Sequence, residues 1–251
     1  MVDSGSIVEN LDSADVPVGT GIHWAVLPLN AKGRDSKEKW LVEINFPNID
    51  RVEALVKYDN GKSERFFMGD DVAFEKWPIN YRKPSIPLSH LAGNSAIVFF
   101  KISSETPLIL PLHFTTAGEQ EKAQKNEHFL YGVFYGAIFI LALYNAGVYF
   151  SLRDKSYRFY ILYILSFSMV QASTTGLGQQ YLWPSYDSAT TRIALLVIIF
   201  TNFFLVNFVI HFLDLARYRP GLVKPLKVIA ALSILLIPTL ILEHYAYTQL
   251  A

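Results

Sequence analysis

Between Phe129 and Leu152 the chain carries no charged side chain, and so long an apolar run leaves few choices of fold. About 18 or more consecutive apolar residues make a bilayer-spanning helix, because a helix satisfies its own backbone amides in hydrocarbon. A second such run covers Ile193 to Ile210. The second half of the chain therefore reads as an integral membrane domain. The charge distribution agrees: 22 basic and 22 acidic side chains cancel only in sum. Residues 1–128 hold 14 Lys/Arg against 18 Asp/Glu, a balance of −4, and residues 129–251 hold 8 against 4, a balance of +4. The neutral sum gives no basic field for nucleic acid. Without cysteine there is no disulfide, Cys-ligated zinc, iron–sulfur cluster or thiol nucleophile.

Four spans are expected, at about 130–152, 157–175, 193–213 and 224–243. The fourth is the weakest, because only Val228 to Leu242 is free of charge and Pro238 lies inside it. Lys224 and Lys227 would snorkel to extend it, and a re-entrant segment is the alternative. Seven of the eight basic residues in this half fall in two loops: Arg153, Lys155 and Arg158, then Arg217, Arg219, Lys224 and Lys227. Basic loops stay cytoplasmic, which puts residues 1–128 outside. The expected location is the inner (cell) membrane, with a periplasmic or extracellular N-terminal domain. Met1 to Leu11 is polar and acidic rather than a signal peptide. The reading is a chain that begins after its natural start; the competing reading is a cytoplasmic N-terminal domain with every span inverted. Asn145, Gln171, Asn202, Asn207 and His211 read as interhelical hydrogen-bonding groups rather than a transport path.

Residues 1–19 read as a polar segment and residues 20–115 as a β-sandwich, from alternation of period two. Trp40, Val42, Ile44 and Phe46 face one way while Glu43 and Asn45 face the other. Val98, Phe100 and Ile102, and Leu108, Leu110, Leu112 and Phe114, repeat the pattern. Asp59-Asn60-Gly61 reads as a hairpin turn. Five to seven antiparallel strands are expected. There is no G-x-S-x-G, P-loop or H-E-x-x-H motif, and no two of the six histidines sit at i, i+4. No catalytic residue, metal or cofactor is assigned, and Asp70-Asp71 reads as a solvated turn. Trp77, Tyr81 and Arg82 combine flat rings with a bidentate donor, a set that suits sugar faces and carboxylates. They are the first ligand-binding candidates, with Trp24 and Tyr58 as alternatives; the simpler reading is rings that cover a sandwich edge.

Thr116-Ala117-Gly118-Glu119 has the spacing of a capping box, and Glu121 with Lys125 makes an i, i+4 pair, so residues 116–129 are expected to form a juxtamembrane helix that continues into the first span. A solvated tether is the alternative. Gly132, Gly136 and Gly147 fall on one helix face and are expected to receive another helix at close range.

Two stretches resemble a known family. Leu152-Arg153-Asp154-Lys155-Ser156-Tyr157-Arg158-Phe159-Tyr160 and Gly178-Gln179-Gln180-Tyr181-Leu182-Trp183-Pro184 are similar to segments of the bacterial 7TMR-DISM receptors, seven-transmembrane receptors with diverse intracellular signalling modules. Trp24, Pro47-Asn48-Ile49-Asp50-Arg51-Val52-Glu53, Gly69-Asp70 and Tyr81-Arg82 resemble that family's extracellular type 2 domain. The resemblance implies a jelly-roll sandwich like carbohydrate-binding modules, and a membrane domain of which four spans are present. At the position two after Trp24, where the family usually has a basic residue, stands Val26. The implied function is sensory: the sandwich binds a small-molecule or carbohydrate ligand, and the helices carry the signal to a cytoplasmic effector absent from this chain. Implied partners are the ligand, the lipid bilayer, and a second copy or a downstream signalling module. The alternative is a membrane-anchored structural or assembly factor whose sandwich docks a protein or envelope polysaccharide.

Overall fold

The computed structural model describes residues 6–7, 13–18, 20–30, 38–91, 95–104, 108–185 and 189–235. They form two compact units: residues 1–128 with 174–191, and residues 129–173 with 192–251. In the first unit the strands are β1 (Ser6–Ile7), β2 (Ser13–Val18), β3 (Gly21–Asn30), β4 (Trp40–Ile44), β5 (Arg51–Tyr58), β6 (Ser63–Met68), β7 (Ser85–Pro87), β8 (Ser95–Ser104) and β9 (Leu108–Thr116). One sheet has the order β1-β3-β8-β5-β6 and the other β2-β9-β4-β7. Every pairing is antiparallel except β1 with β3.

The alternation in sequence becomes an inside and an outside. In β5, Val52, Ala54, Val56 and Tyr58 are buried while Arg51, Glu53, Leu55 and Lys57 point away from the core. In β8, Ala96, Val98, Phe100 and Ile102 are buried and Phe99 and Lys101 point outward. These inner side chains meet Val42, Ile44, Ile86, Leu110 and Leu112 of the second sheet in a single core. Burying each large aliphatic side chain is worth about 1.5–3 kcal/mol. The β5–β6 turn forms as expected, with Gly61 at φ +83° and Asn60 Oδ1 accepting from the Lys62 amide at 3.0 Å. The sheet begins earlier than the sequence reading: β2 lies in the segment taken as polar. Its Pro17 lacks a donor and is tolerated because β2 is an edge strand.

Helix α1 (Ala117–Leu152) is continuous and starts where the capping box sets it. Thr116 Oγ1 accepts from the Glu119 amide, and Glu119 Oε2 accepts from the Thr116 amide, both at 3.2 Å. Lys125 and Glu121 pair at 2.8 Å. The helix ends at Arg153, which turns the chain with φ +54°. The others are α2 (Lys155–Thr174), α3 (Ala189–Phe212), α4 (Leu215–Tyr218) and α5 (Pro220–Leu235). By length and composition Ala117–Leu152 and Arg192–Phe212 are long and apolar enough to cross a membrane. Of the expected fourth span, the part up to Leu235 is helical, and Pro238 and the rest lie outside the described residues.

Two expectations change in the second unit. Asn145 Nδ2 donates to the Leu141 carbonyl and Asn207 Nδ2 to the Phe203 carbonyl, each at 2.8 Å, and His211 Nδ1 lies 2.7 Å from the Asn207 carbonyl. Each of these polar groups makes a hydrogen bond one turn back on its own helix, which offsets part of the cost of placing it in hydrocarbon. A Cβ built on Gly132, Gly136 or Gly147 would meet nothing within 4 Å, so no described residue of this chain packs closely on that stripe.

Candidate functional site

Trp77, Tyr81 and Arg82 are all buried, so none forms an open platform, and only Tyr81 and Arg82 share a partner, Glu127. A single 3-10 turn, Phe74–Lys76, delivers Trp77 to the core, where its Nε1 donates to the Val72 carbonyl at 3.1 Å. Tyr81 is 1% exposed and Arg82 7%. The Arg82 guanidinium donates to Glu127 Oε2 from Nε at 3.2 Å and Nη2 at 2.8 Å. Its Nη1 donates to the Thr175 carbonyl at 2.7 Å. The Tyr81 hydroxyl donates to the same Glu127 oxygen at 2.7 Å. Lys83 Nζ reaches Glu127 Oε1 at 2.8 Å and Glu43 Oε1 at 3.5 Å. Gln120 Nε2, one turn into α1, donates to Glu43 Oε2 at 2.9 Å and to Ser85 Oγ at 2.7 Å.

Two cations thus face two carboxylates, and charge is balanced inside the cluster. Burial pushes the Glu127 pKa upward, but hydrogen bonds from Lys83, Tyr81 and Arg82 outweigh it and hold the carboxyl below its ordinary value. Glu127 is ionised at neutral pH. Burial, and then the hydrogen bond to Glu127, raise the Tyr81 phenol above its usual value. The arrangement ties the first turns of α1 to the sandwich.

The loop after α2 joins the same region. Asn48 Nδ2 donates to the Thr174 carbonyl at 3.2 Å, Gln179 Nε2 to the Gly69 carbonyl at 3.4 Å, and Ser185 Oγ to Glu75 Oε1 at 2.7 Å. Gly176 has φ +77°, and a Cβ there would stand 2.8 Å from Pro47 Cβ. A Cβ on Gly178 would enter the Trp183 ring. Of the segments that carried the family resemblance, Gly178–Pro184 and Gly69-Asp70 are therefore in contact. Asp70 is buried, unlike the solvated turn expected of it, and Asp71 is exposed.

The remaining candidates separate. Tyr58 is 5% exposed and its hydroxyl donates to Glu64 Oε2 at 2.8 Å, with the ring edge-on to His90. Trp24 alone is open to solvent, at 49% exposure. It stands on the outer face of the β1-β3-β8-β5-β6 sheet, where it lines a depression of about 270 Å³ with Leu55, Phe99, Glu53, Lys57, Arg65 and Lys101. The register sets the layout. Trp24, Lys101, Glu53 and Phe67 form one row across four strands, and Val26, Phe99, Leu55 and Arg65 form the next. Ile22, Ile97 and Phe67 are exposed on the same face. Exposed rings interleaved with charges on a twisted sheet suit a flat ligand with polar substituents. Sequence reading passed over Phe99 and Arg65, although an aromatic at an outward position of a β8-type alternation is a readable signal.

Two family models match the chain: 7TMR-DISM extracellular 2 over residues 11–116, and 7TM diverse intracellular signalling, the 7TMR-DISM membrane domain, over residues 127–251. No curated protein matches it.

Proposed function

Because the chain belongs to the 7TMR-DISM family of transmembrane receptors, we propose that it is the sensing and membrane portion of a bacterial sensory receptor whose sandwich binds a carbohydrate on the sheet face around Trp24. The observation that carries this reading is the half-exposed Trp24 ring in a depression shared with Phe99 and charged side chains. Every other ring of the candidate set is buried and partnered within the chain. The Glu127 cluster is the coupling element: a ligand that shifts the sandwich acts on α1 through Arg82, Lys83 and Tyr81, and on the loop after α2 through the Arg82–Thr175 bond. The helices pass this to a cytoplasmic effector.

A glycan array probed with the full chain in nanodiscs tests the site. Trp24→Ala and Phe99→Ala should each weaken binding without unfolding, and binding that survives both removes the site from this face. Orientation in the inner membrane, with the sandwich in the periplasm, has its own test. The chain has no cysteine, so Ser185→Cys and Lys155→Cys, both exposed positions, give single labels. An impermeant maleimide on spheroplasts should label Ser185→Cys alone, and labelling at position 155 instead overturns the orientation.

A further inference from the structure

Three cations and one carboxylate line the depression beside Trp24: Lys57, Arg65 and Lys101 against Glu53. The carboxylate is already engaged, 3.4 Å from the Arg51 guanidinium and 3.7 Å from Lys101 Nζ. Lys57 and Arg65 make no ion pair among the described residues; the Lys57 ammonium sits instead 5.5 Å from the centroid of the Phe99 ring. Among the described residues this face therefore carries positive charge without a matching counter-charge, and a partly enclosed depression strengthens its field. Phe99, Leu55 and Arg65 occupy one row over three adjacent strands. At about 4.8 Å per strand, Arg65 starts roughly 10 Å from Phe99. A pyranose lying on the rings of Trp24 and Phe99 would then present its exocyclic group toward Arg65, whose planar fork accepts a carboxylate bidentately.

Resting on the reading that this face binds carbohydrate, we infer that its ligand is an anionic saccharide whose rings carry carboxylates, of the uronic acid class. Lys57 and Arg65 set that preference, and Trp24 and Phe99 supply stacking that does not depend on charge.

Calorimetry on the full chain in phosphatidylcholine nanodiscs separates the two layers, with trigalacturonate, its neutral methyl ester and a sulfated trisaccharide as probes. Trigalacturonate should bind at least tenfold more tightly than the ester. Salt should erode that advantage, because the screening length falls from about 10 Å at 0.1 M to about 3 Å at 1 M. Lys57→Gln with Arg65→Gln should abolish the advantage and leave the weak affinity for the ester, while Trp24→Ala should remove both. Both cationic positions are exposed, and circular dichroism verifies that the variants fold. An ester that binds as tightly as the acid, in a Trp24-dependent way, overturns the anionic class and leaves the face as the site. A preference for the sulfated probe overturns the carboxylate. Failure of all probes to bind, or binding indifferent to Trp24→Ala, overturns the face itself.

Discussion

The same first unit builds two groups of aromatic rings and cations, and they have opposite fates. Around Tyr81 and Arg82, every cation meets a carboxylate of this chain, and the rings are buried. Around Trp24 and Phe99, cations outnumber carboxylates and the indole stays in solvent. Residue types alone do not separate them. The deciding quantity is whether the chain itself supplies the counter-charge and the covering surface. A group satisfied internally holds structure together, while one left open has affinity to spare.

The sharpest way to break this contrast is to remove one partner from each group. Glu127→Ala leaves Arg82 and Lys83 without their shared carboxylate in a buried setting, and breaking such a pair costs about 3–5 kcal/mol. Arg65→Ala removes an exposed side chain with no ion pair among the described residues and should stay within about 0.5 kcal/mol. Denaturant unfolding of the full chain in detergent measures both; equal losses would erase the distinction. Acid offers a second measurement. Glu127 has a folded-state pKa held below its ordinary 4.5. Its contribution is therefore present above that value and disappears as pH falls through the depressed one. Wild type should lose stability in this window faster than Glu127→Gln.

Backbone supports come next in size. Gly69 has φ +115°, and a Cβ there would lie 2.6 Å from the Asp50 carbonyl oxygen. Its own carbonyl accepts from Gln179. Gly69→Ala should cost about 1–3 kcal/mol through local strain. It should also loosen the Gln179 loop, seen as faster amide exchange at Gln180, whereas exchange in β8 beneath the Trp24 face should not change.

Thr116→Ala removes one half of the capping box and should cost about 1 kcal/mol. The start of α1 was legible in the sequence because a cap is a local signal: Thr116 and Glu119 are three residues apart and form their bonds within one turn. The strands were legible for the same reason, since alternation in Val98, Phe100 and Ile102 needs no distant partner. The Glu127 cluster was not. Its members come from a loop near residue 82, strand β4 and the helix, and polar residues carry no periodicity that could announce such a meeting. Trp77 misled because composition says nothing of burial, and β2 because Asp15 and Pro17 mask an edge strand that tolerates both. Arg65 and Phe99 were in plain view at outward positions, but only the register sets them side by side.

The smallest effect is expected at a second open surface. The Gly132, Gly136 and Gly147 stripe of α1 has nothing within 4 Å of its Cβ positions. It resembles the Trp24 face in being uncovered, but its surroundings differ. Water penalises exposed apolar surface, whereas lipid does not, so openness in a membrane helix implies no unmet demand. If the stripe only meets lipid, Gly136→Leu has no described side chain to displace. It should then leave unfolding unchanged, or raise stability slightly, because leucine is a better helix former than glycine by under about 1 kcal/mol. If a second copy docks there, close approach of backbones is lost, and the effect appears in association rather than in folding. Cross-linking in nanodiscs, together with sedimentation in detergent, reads the two separately. A fall in dimer with unchanged melting assigns the stripe to an interface between copies. Unchanged values of both assign it to lipid, and confine the rule that open surfaces seek partners to the water-exposed sandwich.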